Sequence, residues 1–138
     1  MRNGGEGNFY LKPNGVFFLK GGRPQVMETD AFARARIAPD FATQSGPMLV
    51  IDGRIHPKFN EASENLKRRN GVGVAGEQAI FAIADLPVSF HHMARLFRDG
   101  YGVKNALFLD GSISSLHHGQ RSDWLFPLGP IVGLVGKK

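Results

Sequence analysis

The sequence has no cysteine at all. That excludes disulfides, thiolate zinc sites and a thiol nucleophile, although it does not fix the compartment. It also lacks any run near the ~20 apolar residues that a membrane span requires. The first residues, Met1-Arg-Asn-Gly-Gly-Glu-Gly-Asn8, contain no apolar signal-peptide region. The expectation is therefore a cytoplasmic protein, or a periplasmic or otherwise extracytoplasmic one whose signal segment lies upstream. Acidic residues are the scarcer charge, 12 against 17 Lys and Arg, for a formal net charge of +5. The densest basic cluster is Lys67-Arg68-Arg69. It comes with neither a recognition helix nor an aromatic platform, so nucleic acid is not the expected partner. A soluble surface with modest positive bias accounts for the charge, and a cationic cleft for a phosphate-bearing small molecule accounts for it equally well.

What is present fits one domain around a single core: 138 residues, 42% hydrophobic and 21% charged. Eighteen glycines and eight prolines call for many short elements joined by tight turns. Gly15-Val-Phe-Phe-Leu-Lys20 and Gln25-Val-Met-Glu-Thr29 read as strands around a four-residue loop, Gly21-Gly-Arg-Pro24. A helical turn or two follows from Asp30, placed as the cap, to Arg36. Met48–Ile51 and Arg54–His56 flank the turn pair Asp52-Gly53. Residues 60–69 are polar and read as loop or frayed helix. A third hairpin joins 71–75 to 78–84 around Gly76-Glu77, and its glycines at 71 and 73 imply close approach by a neighbour or ligand. The clearest helix begins at the cap Ser89, carries an apolar stripe of Phe90, Met93, Ala94 and Phe97, and ends at Gly100 or Gly102. Val103–Leu109 is the next strand, which makes Ala79–Leu109 a strand–helix–strand crossover with parallel pairing. Ile131–Val135 reads as a last strand. The fold class is α+β: a twisted mixed β-sheet with one main helix packed on it, Leu107, Phe108 and Leu109 forming a central strand.

The chemistry concentrates at the ends of apolar runs. Leu107-Phe-Leu-Asp110-Gly-Ser-Ile-Ser-Ser115 delivers one carboxylate from a buried strand into a polar loop, and Met48-Leu-Val-Ile-Asp52-Gly53 repeats the pattern. On these residues alone, two tight Asp-Gly turns are the stronger reading, since both residues tolerate positive φ. The adjacent pairs His91-His92 and His117-His118, with His56 alone, match no metal-binding spacing. His117, following the loop after Asp110, can reach the same cleft. Ser112, Ser114 and Ser115 sit in no nucleophile elbow and suit hydrogen bonding to a ligand or turn formation. Thr43-Gln44-Ser45-Gly46-Pro47 offers an amide, a hydroxyl and an unobstructed backbone for a sugar or phosphate oxygen. In Arg68-Arg69-Asn70-Gly71-Val-Gly-Val74 an arginine beside a glycine-rich strand start can grip an anion in bidentate fashion. The lysine-serine of nucleotide phosphate loops is absent there.

Four blocks resemble the phosphodiester glycosidase family, the family of the uncovering enzyme that removes N-acetylglucosamine from a mannose phosphodiester. They are Gly7-Asn-Phe-Tyr-Leu-Lys-Pro-Asn-Gly-Val-Phe-Phe18, Ala42-Thr-Gln-Ser-Gly-Pro-Met-Leu-Val-Ile-Asp-Gly53, Arg69-Asn-Gly-Val-Gly-Val74 and Asn105-Ala-Leu-Phe-Leu-Asp-Gly111. The resemblance covers about Gly7 to Val135 in order and is nearest to a small bacterial branch. Members usually begin with an Asn-Ala-Gly-aromatic strand, and this chain starts after that point; Asn14-Gly-Val-Phe-Phe18 is read as the downstream hairpin. Ser112 stands where the family commonly has glycine, which narrows the backbone freedom of that loop.

The resemblance implies one domain over 1–138 that hydrolyses a sugar phosphodiester or related glycoside. Asp110 is the expected acid, base or nucleophile, and the second carboxyl group comes from Asp52 or from sequence outside this chain. Arg69 is assigned to the phosphate, with Gln44, Ser45 and Ser114 orienting oxygens and Gly46, Asn70 and Gly111 completing the substrate subsite. Gln44, Arg69 and Asp110 are expected to share one cleft. No metal or cofactor is called for. The rival is a non-catalytic module that binds an anionic cell-envelope glycan. Oligomeric state is not set by the sequence.

Overall fold

The computed structural model describes residues 11–109, 111, 114–123 and 131–136. Strands β1 (Gly15–Lys20) and β2 (Arg23–Glu28) form the first hairpin. Its loop is two residues long rather than four: Gly21 and Gly22 both take positive φ, 56° and 74°, so pairing resumes at Arg23. This is the turn geometry whose twist matches that of paired strands. Pro24 is tolerated within β2 because that strand is the sheet edge. Helix α1 (Thr29–Ala35) starts one residue earlier than expected, and its cap is Glu28, not Asp30. The Glu28 carboxylate accepts from the amides of Asp30 and Ala31 at 3.0 and 2.9 Å. Arg36, left-handed at φ 48°, ends the helix. β3 (Phe41–Ser45) then returns alongside β1, giving an antiparallel sheet ordered β2-β1-β3.

The larger sheet is built from β4 (Met48–Ile51), β5 (Arg54–Ile55), β6 (Asn70–Ala75), β7 (Gln78–Ile83) and β8 (Ala106–Phe108), in the order β5-β4-β8-β6-β7. Helix α2 (Phe90–Arg95) lies between β7 and β8 in sequence. Ser89 caps it, accepting from the His92 amide at 3.1 Å, and the helix widens to π spacing over Leu96–Gly100. The central strand is where the sequence puts it, but shorter than the expected Val103–Leu109: Leu107 of β8 stands between Met48 of β4 and Val72 of β6, and Leu109 lies beyond the strand's end. The expected parallel pairing is corrected, because every pairing among the described residues is antiparallel. β7 and β8 do run in the same direction, but β6 lies between them, so the chain crosses over one strand. Helix α1 is a second helix beside α2 and its π extension. A small hairpin, β9 (His117–His118) with β10 (Arg121–Ser122), follows. Residues 131–135 do not form the expected strand. They have no strand partner among the described residues, and Ile131, Leu134 and Val135 are 80%, 84% and 95% exposed.

Three apolar clusters stack these elements in layers. Val16, Phe18 and Phe32 seat α1 on the outer face of the small sheet. Phe17, Val26, Met48, Val72 and Leu107 fill the space between the two sheets. Leu49, Ala106, Phe108, Met93, Phe97 and Val103 join the large sheet to α2. The glycines of β6 belong to this last interface: an added Cβ at Gly73 would lie 2.8 Å from Phe97, and one at Gly71 3.0 Å from it. The neighbour those glycines admit is a phenylalanine ring.

Candidate active site

Leu109, one residue beyond β8, is where three strand ends meet. Its amide donates to the Asn70 carbonyl at 3.4 Å, at the start of β6. Its own carbonyl accepts from Ser45 Oγ at 2.9 Å, at the end of β3. One residue back, the Phe108 amide donates to the Pro47 carbonyl at 3.1 Å. Ser45 and Gly46 are buried here. Residues far apart in sequence therefore fix the chain on both sides just before position 110. Past it, the Ser114 amide and hydroxyl both donate to the Gly111 carbonyl, at 3.2 and 2.9 Å. Ser114 is buried. Asp110 and Ser112 lie outside the described residues.

Arg69 adjoins Asn70 but points to the other face of β6, as strand alternation requires. It is 1% exposed and sits in a planar stack. Its guanidinium carbon lies 3.6 Å from the Phe90 ring centroid, Phe90 stacks on Phe59 at 4.9 Å, and Phe59 stacks on His56 at 4.6 Å. Arg69 Nε donates to the Val88 carbonyl at 2.8 Å and Nη2 to the Asn65 carbonyl at 3.0 Å. Nη1 is buried without a hydrogen-bond partner. Burial pushes this guanidinium below its ordinary value, yet an arginine remains charged at any working pH. At the far end of the stack His56 is held as one tautomer. Nε2–H donates to the Lys12 carbonyl at 2.9 Å, and Nδ1 accepts the Lys58 amide at 3.1 Å. Burial lowers its pKa and favours the neutral ring.

Two further predicted residues are not brought to Leu109. Gln44 faces away from Ser45 on β3, and its Nε2 donates to Thr29 Oγ1 on the α1 side at 3.4 Å. Asp52 stands at the opposite end of β4, exposed, with its amide donating to Asn105 Oδ1 at 3.0 Å, before β8 begins. Its φ of 47°, followed by Gly53 at 78°, makes it a hairpin turn residue. Among the described residues no cluster of three or more His, Asp or Glu is placed to hold a metal.

A family model described as phosphodiester glycosidase matches residues 2–120, most of the chain. The chain belongs to the phosphodiester glycosidase family. It is similar to the uncharacterized protein YigE of Escherichia coli (strain K12), with 36% identity over 114 residues. That match covers 82% of this chain and 44% of YigE, so the chain spans less than half the length of this relative. Among the described residues no helix is long and apolar enough to cross a membrane.

Within this family member, two features escaped the sequence reading. Asn14 is 2% exposed, and neither its amide nitrogen nor its oxygen has a hydrogen-bond partner. It sits inside a block that carries the family resemblance, and only a search for buried polar groups singles it out. Asp123 is the second. It accepts from Arg68 Nη2 at 2.6 Å, from Arg121 at 3.1 Å and from the Leu116 amide at 3.4 Å, and Arg121 also pairs with Asp85. The hydrogen bond from Arg121, with that from Arg68, holds the Asp123 carboxyl below the usual range. This network ties the β9–β10 hairpin to the segment that leads into β6.

Proposed function

We propose that this chain carries the hydrolytic site of a phosphodiester glycosidase acting on a sugar phosphodiester or a related glycoside. Asp110 is the acid, base or nucleophile. The observation that supports this is the anchoring of Leu109 from two sides, by Ser45 and by Asn70, directly before the one carboxylate the sequence delivers there. A reactive side chain gains from such a base because its position costs little ordering when substrate arrives. Ser45 Oγ donates to Leu109 and keeps lone pairs to accept from a sugar hydroxyl. Gly46, next to Ser45, Asn70, whose carbonyl meets Leu109, and Gly111 and Ser114, which follow in the chain, complete the substrate subsite. Arg69, its guanidinium held by two carbonyls and Phe90 on the face that bears α2, lies outside this subsite. Gln44 and Asp52 take no part. Glycosidic cleavage needs a partner for Asp110, and Asp52 at the far end of β4 is not it.

The test is hydrolysis of N-acetylglucosamine 1-phospho-mannose by the unmodified chain and by Asp110→Asn. The amide keeps the shape of the carboxylate but can neither transfer protons nor attack the anomeric carbon, so turnover is lost while substrate binding persists. Undiminished turnover in the variant refutes the assignment. Binding without turnover in the unmodified chain supports instead a module that recognises an anionic glycan.

A further inference from the structure

A second recess lies at the other end of the large sheet. Gly53, Arg54 and Ile55 of the β4–β5 hairpin, the following loop to Glu61, and His91, Arg95 and Arg98 border an open groove of about 540 Å³. Gly53 donates to the Lys104 carbonyl and Asp52 to Asn105, both preceding β8, whereas Leu109 leaves the strand's other end. The groove is thus separate from the site built around Leu109.

Its charge is unbalanced. Arg54 makes no ion pair among the described residues. Arg95 and Arg98 share one carboxylate, Asp99, at 3.2 and 2.6 Å, and Glu61 stands 3.9 Å from Arg95, too far for a tight pair. Three guanidinium groups face two carboxylates. An open groove with surplus arginine calls for an anion able to accept from several directions. A tetrahedral phosphate does this for donors on a hairpin and on a helix, where a planar carboxylate offers two oxygens. The aromatic content narrows the ligand further. Both faces of Phe59 are taken, by His56 at 4.6 Å and Phe90 at 4.9 Å, so the phenyl ring bordering the groove leaves no face for a nucleobase to stack on.

We propose that this groove binds a phosphate group carried on a non-aromatic polar body such as a sugar or polyol, with Arg54 and Arg95 as its donors. The phosphate belongs either to a free monoester or to one unit of a phosphate-linked polymer. The site stands independently of the reading of Asp110.

The experiment titrates the full chain with inorganic phosphate and, separately, with a short linear polyphosphate, following backbone amide shifts and heat. The expected result is saturable binding with shifts at 53–61 and 91–98. The double variant Arg54→Gln/Arg95→Gln weakens it by at least ~10-fold, as loss of two charge-assisted contacts requires. Arg23→Gln, which removes an exposed arginine on the β1–β2 hairpin, leaves it unchanged. Polyphosphate binding much tighter than phosphate, with steep salt dependence, identifies a polymer as the source; similar affinities identify a monoester. Absence of saturation with either probe, undiminished binding by a folded double variant, or shifts confined to Ser45, Asn70 and Gly111 overturns the proposal.

Discussion

Replacing Arg69 by lysine keeps the charge and removes the plane, which makes it the sharpest probe of how this site is held. In the native chain the guanidinium lies 3.6 Å above Phe90 and donates to the Val88 and Asn65 carbonyls. A lysine ammonium has no flat face and cannot span both carbonyls from one position. The desolvated cation–π contact is worth about 2 kcal/mol, and a hydrogen bond from a charged donor about 1.5–3 kcal/mol. Losing the first and one of the second gives a destabilisation of about 3–5 kcal/mol, the ammonium retaining the other carbonyl. With a urea dependence of about 1–3 kcal/mol/M, the unfolding midpoint falls by at least ~1 M. Equilibrium urea unfolding followed by tryptophan fluorescence and far-ultraviolet circular dichroism reads this directly. A loss below ~1 kcal/mol would refute the reasoning. It would mean that the stack contributes packing alone and that the buried cation is not what holds residues 65 to 69 against Val88.

Three further outcomes follow from the geometry. Gly73→Ala drives a Cβ to 2.8 Å from Phe97 and costs about 1–3 kcal/mol in thermal or urea unfolding; adding Phe97→Leu recovers part of that loss, and no recovery would show that the clash is elsewhere. Because burial lowers the His56 pKa below the ordinary 6.5, the unfolded chain binds the extra proton first. Stability is therefore full above about pH 6.5 and declines as pH falls from there toward the folded-state value; a His56→Gln variant, unfolded in urea across that range, loses this component of the slope. Asp52→Asn retains a residue that tolerates positive φ, so it leaves both folding and any hydrolysis unchanged, whereas a drop in turnover at unchanged stability would return Asp52 to the site.

Local rules carried the sequence reading far where one strand or turn decides the matter. The Asp52-Gly53 turn, the Gly76-Glu77 hairpin, the Ser89 cap and the buried β8 each depend on a few neighbouring residues, and each stands in the structure. The errors arose where the partner lies elsewhere in the chain. Strand–helix–strand from β7 to β8 is a sound local pattern. Nothing in it reveals that β6, delivered earlier by its own hairpin, already occupies the place beside β7. The apolar run Ile131–Val135 reads as a strand only if a sheet edge is at hand, and periodicity carries no information on that.

The candidate site shows the same division more finely. Side chains alternate along a strand, so two neighbours in one polar block cannot both serve a single cleft. Gln44 and Ser45 are neighbours in one polar block, but β3 sends Ser45 to Leu109 and Gln44 to Thr29. Arg69 and Asn70 part in the same way, Asn70 giving its carbonyl to Leu109 while Arg69 crosses to the face that bears α2. That separation gives Arg69 its particular use. Its stack is built by Phe59 and Phe90, and the Phe90 ring also meets Phe108 edge-on at 4.9 Å on the strand that leads to Leu109. A shift of α2 that moved Phe90 would disturb Arg69 and β8 together, so the packing of α2 on the large sheet and the position of the chain entering Asp110 are set by one interface rather than two.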